Sequence, residues 1–142
     1  MGERLFVLGG FETTPGPTML EYDFARGAWV YRTPPPYATG SAPALGVGSR
    51  IVAFGTKMQT GPSPTELGDV VQVYDAVTDS WSVLGALDTF RTRTAAAAVG
   101  GELYLVGGND GSKPLGLVES LPFDANPPAS AFDWPADGSA TN

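Results

Sequence analysis

The chain of 142 residues contains no cysteine and no histidine. The absence of cysteine excludes disulfide bonds and thiolate nucleophiles from this chain, and the absence of both residues excludes Cys- or His-ligated metal sites. Imidazole bases are excluded as well, and with them any serine–histidine catalytic pair. Only carboxylates, lysine, tyrosine and hydroxyl groups remain for acid–base chemistry. The sequence therefore predicts no cofactor, no resident metal ion and no catalytic residues.

Charged residues are also scarce, at 16% of the chain, and 8 Lys and Arg against 15 Asp and Glu give a net charge of −7. So few basic residues on an acidic chain suit nucleic acid poorly, because binding it depends on neutralising phosphates. No run approaches the roughly 18 apolar residues that a membrane helix needs, and the apolar run at the N-terminus is too short for a signal peptide. We therefore expect neither nucleic acid nor a membrane as a partner, and a cytoplasmic location.

Glycine and proline are abundant, with 19 and 13 residues. Together with a hydrophobic fraction of 42%, this composition favours an all-β protein with many tight turns over long helices or a charged disordered tail. The length suits one domain, which we expect to span residues 1–142.

Three short apolar runs that end in glycine recur along the chain. They are RLFVLGG (Arg4–Gly10), RIVAFGT (Arg50–Thr56) and ELYLVGG (Glu102–Gly108). An aromatic residue followed by aspartate comes after each run, and a tryptophan comes seven residues after the first two of these aromatics. The markers after the runs are Tyr22-Asp23 with Trp29, Tyr74-Asp75 with Trp81, and Phe123-Asp124.

These markers resemble the kelch repeat, a unit of about 50 residues that forms one four-stranded blade of a β-propeller. The resemblance is strongest in FRTRTAAAAVGGELYLVGGNDG, where Arg91 stands at the kelch arginine position. The second unit departs from the pattern, with Thr39 in place of that arginine and Thr56 in place of the second glycine. The resemblance implies about three four-stranded antiparallel blades, with repeat units near 1–48, 49–100 and 101–142.

Four stretches carry specific strand predictions. We expect equivalent strands near residues 4–9, 50–55 and 102–107, one from each glycine-terminated run. The small-residue run TAAAAV (Thr94–Val99) suits the innermost strand of a blade, where the blades converge. A helix is the competing interpretation, but six residues followed by a glycine pair are too few to nucleate one.

The order of the markers predicts strands b-c-d, a-b-c-d and a-b-c-d, counted outward from the axis, so that the chain is cut inside a blade at both ends. Three blades do not close a ring, because known propellers use roughly four to eight. An open arc leaves apolar faces and sheet edges exposed. The chain is then either a fragment whose remaining blades belong to a longer chain, or one half of a homodimeric ring. We favour the fragment, because both predicted ends fall inside a blade.

The repeated markers are expected to serve the fold rather than chemistry. The resemblance implies that the glycine pair closes the second strand of a blade and that the tyrosine and tryptophan pack between blades, so we expect Trp29 and Trp81 to be largely buried. The residues assigned this structural role are Gly9, Gly10, Tyr22, Trp29, Gly55, Tyr74, Trp81, Arg91, Gly107 and Gly108.

Propellers bind ligands through rim loops, and three loops of this chain are expected to converge on one rim. They are Thr56–Gly68, Leu87–Arg93 and Asn109–Gly116. Positive charge there, on an otherwise acidic chain, favours an acidic peptide as the ligand. The Asn-Asp-Gly sequence in the last loop predicts a tight turn rather than a calcium site. The candidate binding residues are Lys57, Met58, Arg93, Asn109, Asp110 and Lys113.

A kelch-type module that binds a protein or peptide partner is the function that the resemblance implies, and the lack of a catalytic constellation predicts that the chain is not an enzyme. A fragment of a kelch-like carbohydrate-active enzyme is one alternative. A sugar oxidase of the galactose oxidase type needs histidine and cysteine, whereas a sugar-acid epimerase could work with carboxylate, lysine and arginine. A glycan-binding propeller is another alternative, supported only by scattered aromatics such as Tyr37 and Phe90.

Overall fold

The computed structural model describes residues 4–10, 18–37, 43–54 and 69–124. These residues contain ten β-strands and no helix, so none of them forms a helix that could cross a membrane. The strands are β1 (Leu5–Leu8), β2 (Met19–Asp23), β3 (Ala28–Tyr31), β4 (Ala44–Val47), β5 (Arg50–Phe54), β6 (Val70–Asp75), β7 (Ser80–Ala86), β8 (Ala95–Val99), β9 (Glu102–Val106) and β10 (Val118–Pro122). The all-β prediction is confirmed.

The strands form three antiparallel meanders, as expected for propeller blades. The first sheet has the order β1-β2-β3, the second β4-β5-β6-β7, and the third β8-β9-β10. The three glycine-terminated runs give β1, β5 and β9, which confirms the strands predicted near 4–9, 50–55 and 102–107. The alanine run gives β8, the first strand of the third sheet, and this confirms a strand rather than a helix there.

The aspartate of the aromatic–aspartate marker shapes the hairpin that follows it. Asp23 Oδ1 accepts hydrogen bonds from two backbone N–H groups of the turn between β2 and β3, at 2.9 and 3.1 Å. Asp75 Oδ1 does the same between β6 and β7, at 2.9 and 3.3 Å. Each turn closes on a left-handed residue, Gly27 at φ 63° and Asp79 at φ 50°. The marker therefore encodes a tight turn with a side-chain acceptor at its start.

The second and third sheets pack face to face through the larger apolar core. Val52 pairs with Val73 and Phe54 with Val71, so these side chains lie on one face of the second sheet. Burying a side chain of this kind contributes roughly 1.5–3 kcal/mol, which makes this joint the main source of stability among the described residues. The buried residues of this core are Val52, Phe54, Val71, Val73, Leu84, Leu87, Leu103, Leu105, Leu121 and Phe123.

The first sheet packs on the opposite face of the second sheet. The Phe6 ring meets the Tyr74 ring edge-on, with centroids 5.9 Å apart. As a result, β6 is buried at four consecutive positions, from Val71 to Tyr74, although its sequence alternates. A strand covered on both faces has no exposed row of side chains. Met19, Ile51, Tyr74 and Ala76 are buried in this joint, with Phe6, Leu8 and Trp81 packed against them.

The prediction that the tryptophans are largely buried is wrong for Trp29, which is 48% exposed. Trp81 is partly buried and packs against the buried residues of the joint between the first and second sheets. Each pairs across its hairpin with the tyrosine of its own repeat, Tyr22 or Tyr74. Trp81 also lies against the first sheet and donates from Nε1 to the carbonyl oxygen of Thr33 at 2.8 Å. The described residues place no sheet against Trp29, and this accounts for its exposure.

A charged cluster lies at the joint between the first and second sheets. Glu21 is 8% exposed, and Arg4 binds its carboxylate through Nε at 2.6 Å and Nη2 at 2.8 Å. Arg32 Nε donates to the same carboxylate at 2.7 Å. Arg4 Nη1 crosses to the second sheet and donates to the carbonyl oxygen of Ala76 at 3.0 Å. Charge-assisted bidentate pairs are among the stronger polar contacts, so Glu21 holds the Arg4 side chain in place for its hydrogen bond to the second sheet.

We expect acid to weaken this joint. The hydrogen bond from Arg4 holds the pKa of Glu21 below its ordinary value of 4.5. A carboxyl whose pKa is lower in the folded state stabilises the protein fully above its unfolded pKa, and this stabilisation is lost as the pH falls through the folded pKa. Charged hydrogen bonds contribute about 1.5–3 kcal/mol each in proteins. The free energy of unfolding, measured by urea denaturation, should therefore fall by about 1–2 kcal/mol more between pH 7 and pH 3 in the wild type than in Glu21→Gln. An identical pH dependence in the two proteins would contradict this prediction.

Candidate protein-binding rim

Two of the three predicted rim loops lie side by side at one end of the third sheet. Thr92, in the loop Leu87–Arg93, and Asn109, in the loop Asn109–Gly116, form an isolated antiparallel bridge. Each donates its backbone N–H to the other's carbonyl oxygen at 2.9 Å. The loop that precedes β8 is thus joined to the loop that follows β9, and the two present one continuous surface.

Gly108 sits directly beneath this bridge, and its position explains the second glycine of the pair. Its φ is +105°, a value that L-residues rarely adopt. A Cβ on Gly108 would lie 2.4 Å from Thr94 Cγ2 and 2.8 Å from the carbonyl oxygen of Thr92. The preceding Gly107, at φ 66°, donates its N–H to the carbonyl oxygen of Leu117 at 2.8 Å. The pair therefore turns the chain under the neighbouring loop where side chains have no room.

Arg91 anchors the first loop from the inside. Its side chain is fully buried and forms an ion pair with Glu119 of β10. Its Nη1 lies 3.4 Å from the carbonyl oxygen of Gly107 and 3.5 Å from that of Leu117, at the limit of hydrogen bonding. Burial lowers the pKa of Arg91, and the carboxylate of Glu119 compensates its buried charge. Arg91 therefore positions the rim and is not part of its exposed surface.

The second loop is held by its own side chains. Asp110 Oδ1 accepts from the backbone N–H groups of Ser112 at 2.9 Å and Lys113 at 2.8 Å, and from the Ser112 hydroxyl at 2.8 Å. The backbone N–H groups of Lys113 and Ser112 lower the pKa of Asp110 to about 2. Asn109 Oδ1 accepts from the N–H of Gly111 at 2.7 Å. The sequence thus forms the tight turn that it predicts, and the side chains of Asn109 and Asp110 contribute to the turn itself.

Arg93 and Lys113 are the exposed cations of these two loops. Arg93 has φ 55°, a left-handed conformation that costs a non-glycine residue roughly 1–2 kcal/mol. The bridge at Thr92 immediately before it fixes the backbone there, and residues held in this way occur often at binding sites. Asp88 is an exposed acid in the same loop. The rim therefore presents one guanidinium group, from Arg93, and one ammonium group, from Lys113, on a chain whose overall charge is negative.

Sequence reasoning missed a polar contact beneath the loop that precedes the second sheet. Gln72 is 2% exposed, and its Nε2 donates to the carbonyl oxygen of Tyr37 at 2.9 Å while its Oε1 accepts from the Tyr37 N–H at 3.3 Å. A lone amide side chain in an otherwise apolar strand is the signal that could have indicated it. Phe90, the other aromatic considered for glycan binding, is half-buried.

Several predicted residues fall outside the part of the chain that the structure describes. Lys57 and Met58 lie there with the rest of the loop Thr56–Gly68, as does Gly55, and their roles stay predictions. Within residues 4–10, 18–37, 43–54 and 69–124, no group of three or more acidic side chains is placed to hold a metal ion.

Comparisons with known proteins identify the same repeat. The family model described as the Kelch motif matches residues 91–121, which span the end of the loop Leu87–Arg93, β8, β9, the loop Asn109–Gly116 and most of β10. Residues 91–121 carry a kelch motif. The human protein Kelch-like protein 4 is 40% identical over 62 residues, which are 44% of this chain and 9% of that protein. The Danio rerio protein Kelch repeat and BTB domain-containing protein 12 is 24% identical over 117 residues, which are 76% of this chain and 19% of that protein. The matches thus cover less than a fifth of the length of either kelch relative.

Proposed function

We propose that this chain is a kelch-type protein-interaction module that binds an acidic peptide or protein segment at the rim of its third sheet. The observation that carries the proposal is the bridge between Thr92 and Asn109. It brings together two loops whose exposed cations, Arg93 and Lys113, can donate charge-assisted hydrogen bonds to carboxylates. In this proposal Lys57 and Met58 extend the same surface.

The kelch relatives support interaction rather than catalysis as the role. Protein binding is the usual function that a kelch resemblance implies, and the names of both relatives refer to kelch proteins, not to an enzymatic activity. We therefore propose a cytoplasmic binding module without catalytic activity. The further blades that a closed ring requires come, in this proposal, from a longer chain or from a second copy.

Peptide selection followed by charge reversal tests the rim. Peptides selected from a random display library on the immobilised chain should be enriched in Asp and Glu. Their dissociation constants, measured by fluorescence anisotropy, should rise about tenfold in each of the single variants Arg93→Glu and Lys113→Glu. A charged hydrogen bond of about 1.5–3 kcal/mol corresponds to at least that factor. The dependence of affinity on salt should weaken in both variants, because fewer charges attract the peptide.

Val77→Glu is the control, because it adds a carboxylate at a residue that is 78% exposed in the β6–β7 turn, away from the rim. Its affinity for the selected peptides should stay within about threefold of the wild type, as for an exposed charge that does not touch the ligand. Unchanged binding in both rim variants, an equal loss in the control, or selection of basic peptides would each overturn the proposed site.

A further inference from the structure

Among residues 4–10, 18–37, 43–54 and 69–124, no sheet packs on two apolar sheet faces, one at each end of the stack. The back face of the first sheet consists of side chains that alternate with those facing the second sheet. The front face of the third sheet lies opposite its buried core face. The exposed large residues of the back face are Leu5, Val7, Trp29 and Tyr31, between 45% and 78% exposed, and those of the front face are Val99, Val106 and Val118, between 45% and 64% exposed.

The joint between the first and second sheets shows what covers a back face in this molecule. There, the front face of the first sheet packs on the back face of the second sheet. Phe6 and Leu8 of the first sheet lie against Ile51, Tyr74 and Trp81 of the second. The apolar contact has a defined geometry, because the Phe6 and Tyr74 rings meet edge-on at 5.9 Å. A back face is thus covered by the front face of another sheet of the same kind.

The internal repeat assigns an equivalent to each partner in that joint. On the back face, Leu5 corresponds to Ile51, because each stands four residues before the first glycine of its run. The pair Tyr22 and Trp29 corresponds to the pair Tyr74 and Trp81, because each tyrosine lies directly across the hairpin from its tryptophan. On the front face, Tyr104 corresponds to Phe6 and Val106 to Leu8, again by distance to that glycine. The two uncovered faces are therefore the two halves of a joint that the molecule already forms internally.

Charge follows the same correspondence. In the existing joint, Arg4 reaches the β6–β7 turn and donates to the carbonyl oxygen of Ala76. Glu102 stands at the position of Arg4 in the third repeat, directly before the apolar residues of its strand. The turn equivalent to β6–β7 in the first sheet is β2–β3, which carries Arg26 with a side chain that is 77% exposed. Arg26 contacts Asp23 at only 3.5 Å, so its guanidinium is available to a second carboxylate. Docking the two faces in the same way would bring the carboxylate of Glu102 towards the guanidinium of Arg26.

We propose that the front face of the third sheet docks on the back face of the first sheet in a second copy of the chain, with Glu102 of one copy against Arg26 of the other. The contact is head to tail, so it uses different faces on each copy and either closes into a ring or extends. It is distinct from the rim proposed to bind peptides, and either proposal can fail alone.

A charge-exchange experiment tests this pairing. By sedimentation velocity, the wild-type chain should associate in a concentration-dependent manner. Arg26→Glu alone and Glu102→Arg alone should each raise the dissociation constant of self-association at least tenfold, because like charges then oppose each other at every joint. An equimolar mixture of the two variants should associate as tightly as the wild type, within about threefold, because each joint in a mixed assembly again pairs an acid with a base.

The mixture separates this joint from nonspecific association. Arg26 is exposed and Glu102 is partly exposed, and a circular dichroism spectrum unchanged from the wild type would show that each variant folds. A wild-type chain that is monomeric at all accessible concentrations would overturn the proposal. So would single variants that associate like the wild type, or a mixture that associates no better than its components.

Discussion

Replacing Gly108 with alanine is expected to lower the free energy of unfolding by about 3–5 kcal/mol. The new Cβ would lie 2.4 Å from Thr94 Cγ2 and 2.8 Å from a backbone carbonyl oxygen, so the loop above it would have to move. The backbone φ of +105° adds strain, because only glycine adopts it readily. Overpacking and a strained backbone each cost roughly 1–3 kcal/mol, and here they add. Urea denaturation of the variant and the wild type measures the difference.

Gly10 is the matched control, because it is the second glycine of the equivalent pair in the first repeat. It has φ +131°, but among the described residues nothing lies within 4 Å of the Cβ that alanine would add. Gly10→Ala should therefore cost only the backbone strain, about 1–2 kcal/mol. Adding Thr94→Ser to Gly108→Ala removes the nearest atom and should recover part of the loss. Equal costs at Gly10 and Gly108 would show that the loop does not press on Gly108.

Replacing Arg91 with methionine is expected to cost about 3–5 kcal/mol. Its guanidinium is fully buried and pairs with Glu119, whose side chain is 16% exposed. Removing one partner of a buried ion pair leaves the other charge without compensation, and such changes typically destabilise a protein by that amount. The same denaturation measurement gives the value, and a loss below about 1 kcal/mol would show that Glu119 is effectively solvated.

The double substitution Arg91→Met with Glu119→Leu distinguishes the charge from the packing. Apolar residues of similar size often replace a buried ion pair at little cost, so the double variant should lie within about 1–2 kcal/mol of the wild type. A double variant as unstable as Arg91→Met alone would mean that the loss comes from packing and from the contacts of Arg91 with backbone carbonyls.

The strands could be predicted from the sequence because their signals are local. The runs that give β1, β5 and β9 are short, apolar and closed by glycine or a glycine pair, and the alanine run before Gly100 is too short for a helix. The hairpins follow from the aspartate that accepts two backbone N–H groups within three residues of itself. The position of the loop that contains Arg93 beside the loop that contains Lys113 also follows, since strand order fixes which loops share an end of a sheet.

The burial of the tryptophans could not be predicted, because it depends on a neighbouring sheet and not on the repeat. Trp29 and Trp81 stand at the same place in the same motif, and each pairs with its own tyrosine. Only Trp81 has a described sheet packed against it. The position of a tryptophan in the repeat therefore predicts which face of the sheet it occupies. How much of its side chain is exposed depends on whether another sheet packs on that face.

The charged cluster at the first joint was also missed, although the sequence carries a signal for it. One repeat of 52 residues later, Val73 stands in place of Glu21 and Leu84 in place of Arg32. Both apolar residues are buried in the core between the second and third sheets. Two charged residues at positions that are apolar one repeat later indicate a joint with polar contacts. Finding the cluster also required Arg4, whose reach to Ala76 depends on how the two sheets pack.

Amide hydrogen exchange with and without a selected acidic peptide tests most directly whether the rim of the third sheet is the binding surface. Peptide fragments that cover residues 87–94 and 109–117 should exchange more slowly in the complex, because the bound peptide excludes water from both loops. Fragments that cover the β2–β3 hairpin, including Arg26, should exchange at the same rate in both samples. Slower exchange confined to that hairpin or to the exposed face of the first sheet, with no change in the two loops, would contradict the account.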